Sequence, residues 1–199
     1  MYNLRIINLF SGGVFMDKMI KRELIEKKAN AITEKYTLED KTEGYVDVIE
    51  IAKSNGFLVG NANISDDSDG FIAIDENVGE VFGMPTSKLI VVNANRSIEW
   101  KRFIIAHELG HYFLHYVDNA SDYNGMYAMR EHKKGKDDIE NDADFFAACL
   151  LMPKKIFEER FNQLKDEENV YNISLLLSKE FVVTQIMAER RIKELGLLY

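Results

Sequence analysis

Two histidines four residues apart, His107 and His111, with Glu108 directly after the first, lie in the stretch FIIAHELGHYFLHY, residues 103 to 116. On an α-helix this spacing sets the two imidazoles about 40° apart in azimuth and about 6 Å apart along the axis, so both can reach one cation. Glu108 projects about 100° from His107, near enough to meet a water beside that cation without occupying a coordination position. The trio alone is also compatible with two packed or hydrogen-bonded histidines. Hydrolytic chemistry requires a further ligand.

A catalytic zinc takes three protein ligands and keeps one position open. The metzincin arrangement would place glycine and histidine where Leu114 and Val117 stand, and fails. His115 is eight residues from His107, about 12 Å along a helix, and reads as a packing or capping residue. The better source is IENDADFFAACLLMP, residues 139 to 153, where Glu140, Ala143, Asp144 and Ala147 recur at i, i+3, i+4 and i+7 and share one face. The two alanines permit close approach of the His107 helix. Glu140 would then supply the third ligand, and Asp144 would accept the other N–H of a ligating histidine and fix its tautomer. The plain alternative is an amphipathic helix with a solvated acidic end.

Two neutral imidazoles and one carboxylate leave a Zn²⁺ site with net positive charge, which makes a hydroxide-like nucleophile available near neutral pH. Glu108 would act as the catalytic acid/base, moving a proton from water to a leaving amine. Zn²⁺ suits this donor set best, and Mn²⁺ or Fe²⁺ fit the same ligands. Tyr112, Tyr123, Tyr127 and His132 stay open as donors to a developing oxyanion.

The elements that must position these residues follow from periodicity. Met19, Leu24, Ile25, Ala29 and Ile32 recur at roughly helical spacing and predict an amphipathic helix from Lys18 to Tyr36. Residues 1 to 17 read as a poorly ordered extension, with Met16 or Met19 as alternative starts. A short helix from Val46 to Ser54 should end at Asn55-Gly56. FLVG (57 to 60), GFIAID (70 to 75), EVFG (80 to 83) and KLIVVN (88 to 93) predict short strands of a small, mostly antiparallel sheet. A long helix from about Ile98 to Val117, capped by Ser97 or Asn95, carries the histidines. Residues 118 to 136 show no steady period and predict a long surface loop that could cover a cleft as a lid. A second helix runs from Asp138 to Met152 and stops at Pro153. Two further helices follow between Ile173 and Leu195, with Thr184 as a cap.

The 199 residues carry 25 lysines and arginines against 33 aspartates and glutamates, a formal charge of −8. That balance argues against phosphate-driven nucleic-acid binding. The single cysteine, Cys149, excludes an intrachain disulfide and fits a reducing, cytoplasmic setting. No apolar run reaches the ~18 residues that span a bilayer, so no membrane is expected as a partner.

SIEWKRFIIAHELGHYFLH (97 to 115), ENDADFFAACLLMP (140 to 153), KLIVVN and the closing ISLLLSKEFVVTQIMAERRIKELGLLY (173 to 199) together resemble the ImmA/IrrE family of metallopeptidases. The resemblance covers half to two thirds of the chain and departs at Asp144, where the family usually has asparagine. It implies an α+β fold: a small, gluzincin-like (zincin-like) metallopeptidase domain over residues 18–160, with a helical, helix-turn-helix-like C-terminal segment over 161–199 packed on it. It carries His107, His111 and Glu140 over as metal ligands and Glu108 as acid/base. The implied partner is a helix-turn-helix repressor of a mobile element, prophage or stress regulon, which the enzyme cleaves or inactivates. By analogy with zincins, KLIVVN is the candidate edge strand for an extended substrate. The alternative function is a non-proteolytic regulator that sequesters a repressor or binds DNA through its C-terminal helices. Residues 173 to 199 hold four basic and three acidic side chains, thin for DNA.

Overall fold

The computed structural model describes residues 4–36, 44–65, 68–117, 127–128, 138–166 and 169–197. The chain opens with α1 (Leu4–Tyr36) and α2 (Val48–Ser54), then β1 (Leu58–Ala62), β2 (Gly70–Ile74), α3 (Val78–Phe82) and β3 (Lys88–Asn93). After these come α4 (Ile98–His111), β4 (Tyr127–Ala128), α5 (Asp138–Leu151), α6 (Lys154–Leu164), α7 (Val170–Phe181) and α8 (Gln185–Glu194). The fold is α+β with helical C-terminal elements.

The sheet has the order β1-β3-β2-β4. β3 pairs parallel with β1 and antiparallel with β2, and β2 pairs antiparallel with β4. This corrects the reading of KLIVVN as an edge: β3 has a neighbour on each side and no free row of backbone groups to offer a peptide. Its run Leu89, Ile90, Val91, Val92 is buried throughout, as suits a strand covered on both faces. Ile72, Ile74, Ile90 and Val92 face the main core, while Ala73, Leu89 and Val91 join Val78 in a smaller cluster on the other side.

EVFG is not a strand. Val78–Phe82 forms one turn of helix, entered through Asp75, whose carboxylate accepts from the Asn77 amide at 2.8 Å, and left through Gly83 at φ 66°. β-branched residues in so short a segment do not distinguish a strand from one helical turn. α1 begins at Leu4 rather than near Lys18, so most of the segment expected to be a poorly ordered extension continues the helix. Without proline, each added residue gains one backbone bond once the helix is nucleated. Its buried stripe is Ile25, Ala29 and Thr33; Met19 and Leu24 are exposed. α6 has no counterpart in the sequence expectations, although Phe157 and Phe161, four apart, are both buried.

The caps agree with expectation. The Ser97 hydroxyl accepts from the Trp100 amide at 3.3 Å, Thr184 does the same for Met187 at 3.3 Å, and Asp47 caps α2. α4 leads into a π-helical turn, Tyr112–Tyr116, directly after His111. A change of pitch at that point is a known companion of functional sites.

The closest helix pairing is α4 with α5, and Gly110 makes it possible. A Cβ on Gly110 would lie 3.1 Å from the Ala143 Cα and 3.2 Å from its carbonyl oxygen. Gly110→Val should therefore force the helices apart, at about 1–3 kcal/mol of stability by overpacking, with a fall in metal affinity of more than tenfold. Thermal unfolding and metal titration check both effects. The main core also takes in Phe181, Met187 and Ile192 from the last two helices, so buried contacts run without a break from the sheet to α8.

Candidate metal centre

α4 presents His107 and His111 one turn apart on its buried side, at 4% and 1% exposure. α5 lays Glu140 against them. The His107 and His111 Nε2 atoms are 3.0 Å apart, and Glu140 sets Oε2 3.3 Å from the first and Oε1 3.3 Å from the second. One ligand atom from each residue thus lies within 4.8 Å of the others. The three residues singled out from spacing come together.

The triangle fits a metal by its size and its chemistry. Ligands 2.0–2.1 Å from a tetrahedral ion stand roughly 3.3–3.4 Å from one another, close to the separations seen. The His107 Nδ1 faces Asp144 Oδ1 at 2.9 Å. Donation of that N–H to the carboxylate leaves a lone pair on His107 Nε2, which points at His111 Nε2 and Glu140. Clustered acceptors of this kind suit a shared cation. The His111 Nδ1 has no hydrogen-bond partner among the described residues. An orphaned ring nitrogen on a fully buried imidazole marks a group placed for its other nitrogen.

Asp144 sits at the position expected of a residue that fixes a ligand's tautomer, and aspartate makes this contact where the resemblance anticipated asparagine. Asp144→Ala should lower metal affinity about 10–100-fold with little change in fold. Competition against a zinc-chelating dye measures it.

Glu108 is buried at 6% exposure and lines, with His107, a cleft of about 1280 Å³. The walls come from α1, α4, α5 and α8. Lys21 of α1 pairs with Asp142 of α5 at 2.5 Å, and the Arg22 guanidinium lies 4.6 Å over the Phe145 ring. Both contacts hold α1 along one side of the opening.

The other candidates fall elsewhere. Tyr112, a candidate oxyanion donor, does not line the cleft: its hydroxyl accepts from Lys88 Nζ at 3.0 Å, and its ring meets Phe57 edge-on at 4.9 Å. It is a packing residue and not an oxyanion donor. The side chains of Tyr123, Tyr127 and His132, and the loop expected at 118 to 136, lie outside the described residues save for the β4 backbone. His115 is outside the triad, its ring 5.9 Å from that of His111, and burial pulls its pKa below the usual imidazole value, assisted by His111.

Two buried guanidinium groups, which spacing did not point to, tie together the elements around the site. Arg102 of α4 donates to the Val46 carbonyl at 2.9 Å and the Val182 carbonyl at 3.2 Å and stacks 4.3 Å over Tyr45. Arg191 of α8 donates to the Met152 carbonyl at 3.1 Å and pairs with Glu26 at 2.5 Å. The same Arg191 lies 3.5 Å from Cys149 Sγ, yet burial still pushes that thiol up to about 12. Cys149 is thus an inert core residue, as its apolar context suggests.

A helix with two histidines, a facing glutamate and a bordering cleft has the outline of a metallopeptidase site. The peptidase M78 family model, described as the IrrE N-terminal-like domain, matches residues 67–193, and the chain belongs to that family. The chain is also 35% identical over 69 residues to Metallopeptidase ImmA of Bacillus subtilis (strain 168). That stretch is 35% of this chain and spans 38% of the relative's own length. Membership implies a metal ion, and His107, His111 and Glu140 are a group able to hold one.

Proposed function

We propose that the chain is a zinc-dependent endopeptidase of the cytoplasm that cleaves a helix-turn-helix repressor and so releases transcription. The observation that carries the reading is the triangle of His107, His111 and Glu140 at 3.0–3.3 Å with Glu108 beside it in an open cleft. His107, His111 and Glu140 would hold the ion, and Asp144 would orient His107. When bound, a divalent cation supplies Lewis acidity toward water and a peptide carbonyl.

The Glu108 carboxylate accepts a proton from the water that attacks the carbonyl carbon, and returns it to the nitrogen of the departing amine. The buried surroundings of Glu108 exclude bulk water and strengthen its interaction with that proton. Zn²⁺ suits two imidazoles and one carboxylate; Mn²⁺ or Fe²⁺ match the same donors.

A protein substrate agrees with the family and with the Bacillus subtilis relative, a metallopeptidase. No described helix is long and apolar enough to cross a membrane. Direct DNA binding has little support in α7 and α8: of the basic residues there, Arg191 is 1% exposed and committed to Glu26, leaving Lys179, Arg190 and Lys193 for phosphates. Co-expression with candidate helix-turn-helix repressors, followed by incubation of the purified pair, tests the proposal. The expected result is a repressor fragment that appears with the wild-type chain and is missing when a chelator is present in the purified reaction. An intact repressor throughout would overturn it.

A further inference from the structure

The cleft beside Glu108 is partly lined by the start of α8, through Ile186 and Met187, and shares its lining with Trp100, Phe103 and Ile104 of α4 and Phe145 of α5. These six side chains are apolar and come from three helices. Trp100 and Phe103 stack at 5.4 Å with 20° between ring planes, and Phe103 stands 6.3 Å from the His107 ring, so the aromatic pair leads straight to the metal triad. Ile186 is 63% exposed while its neighbour Met187 is 7% exposed. A lone exposed isoleucine is ordinary. An exposed isoleucine at the wall of a cleft that a half-buried indole also lines is a surface that gains when an apolar group covers it.

The placement is firm. Thr184 caps the first turn of α8, and Arg191, about one turn further on, is tied to the Met152 carbonyl and to Glu26. The first turn of α8 is thus fixed relative to α1 and the end of α5.

We propose that this wall is a subsite for one large apolar side chain of an extended peptide, next to the bond to be cut, and that Ile186 and Met187 select it. The inference rests on the peptidase reading above and adds to it the substrate class and a role for the C-terminal helices. A phenylalanine, leucine or methionine side chain moved from water to such a wall favours binding by about tenfold to 100-fold. An aspartate or lysine there loses water and meets no counter-charge among these six, the charged lining of the cleft, Lys18, Asp69 and Arg190 among it, being no part of this wall.

Trp100 is the single tryptophan of the chain, so its emission reports directly on this wall. Zinc-loaded Glu108→Gln protein is titrated with tryptophan-free peptides that differ at one position, and the wild-type enzyme is assayed on the same set. Peptides with phenylalanine, leucine or methionine should shift Trp100 emission and bind at least tenfold more tightly than those with aspartate or lysine. Ile186→Asp should cut that preference at least fivefold and act on KM rather than kcat, with zinc content and melting temperature unchanged; Ile186→Ala should fall between. Equal affinity across the set, or a preference untouched by Ile186→Asp, overturns the subsite. Wild-type enzyme that cuts every peptide without preference removes the subsite and keeps the peptidase. Selective binding without any cleavage removes the peptidase and keeps the subsite.

Discussion

Glu108→Gln should abolish peptide cleavage, with a loss of about 10²–10⁴-fold or more in kcat, and leave the metal in place. Glutamine has the same shape and keeps one carbonyl oxygen in the cleft, but it cannot take a proton from water. Because Glu108 stands apart from the triangle of His107, His111 and Glu140, metal content should stay at one ion per chain. Elemental analysis beside a cleavage assay decides the matter. Loss of activity together with loss of metal would mean that Glu108 is a ligand. Repressor inactivation that survives the substitution would mean that the chain acts by sequestration.

The second large effect is expected at Glu140. Glu140→Ala deletes the α5 contribution and leaves two imidazoles on one helix, too few to close a site. For the wild type, zinc at 1,000 times its dissociation constant adds about 4 kcal/mol to stability. In a chain of this size that corresponds to an upward shift of roughly 8–16 °C. The alanine variant should show less than a quarter of that shift, and its metal-free melting temperature should stay near that of the metal-free parent. Differential scanning calorimetry with and without zinc reads both. An equal shift in the two proteins would place the ion elsewhere.

Much of this site was legible before any coordinates, for reasons particular to the residues. His107, Glu108 and His111 lie within five positions, so helical geometry alone sets their relation. Glu140 and Asp144 could be found because the alanines between and after them mark the face that approaches another helix, and the 2.9 Å contact of Asp144 with His107 follows from that face. Gly110 carried the complementary signal, a residue without a Cβ in the middle of the motif helix, and its fit against Ala143 was missed. The neighbours of KLIVVN were also misread. An unbroken apolar run such as Leu89 to Val92 signals a strand covered on both faces, whereas an exposed edge calls for alternation. Arg102 and Arg191 gave no such sign, because a buried guanidinium has the same letter as one on the surface, and only the long-range carbonyls and Glu26 reveal it. EVFG and the first half of α1 show the limit of local pattern: a five-residue segment and a glycine-containing helix start are decided by their ends and by continuity.

The two buried guanidinium groups also govern when the site can exist during synthesis. Arg102 spans from Val46 to Val182, and Arg191 reaches back 165 positions to Glu26. Until α7 has left the ribosome, Arg102 lacks the Val182 carbonyl, and until α8 follows, Met152 lacks its donor and the core lacks Met187, Ala188 and Ile192. A nascent chain therefore carries its HELGH sequence long before α8 completes the packing around it.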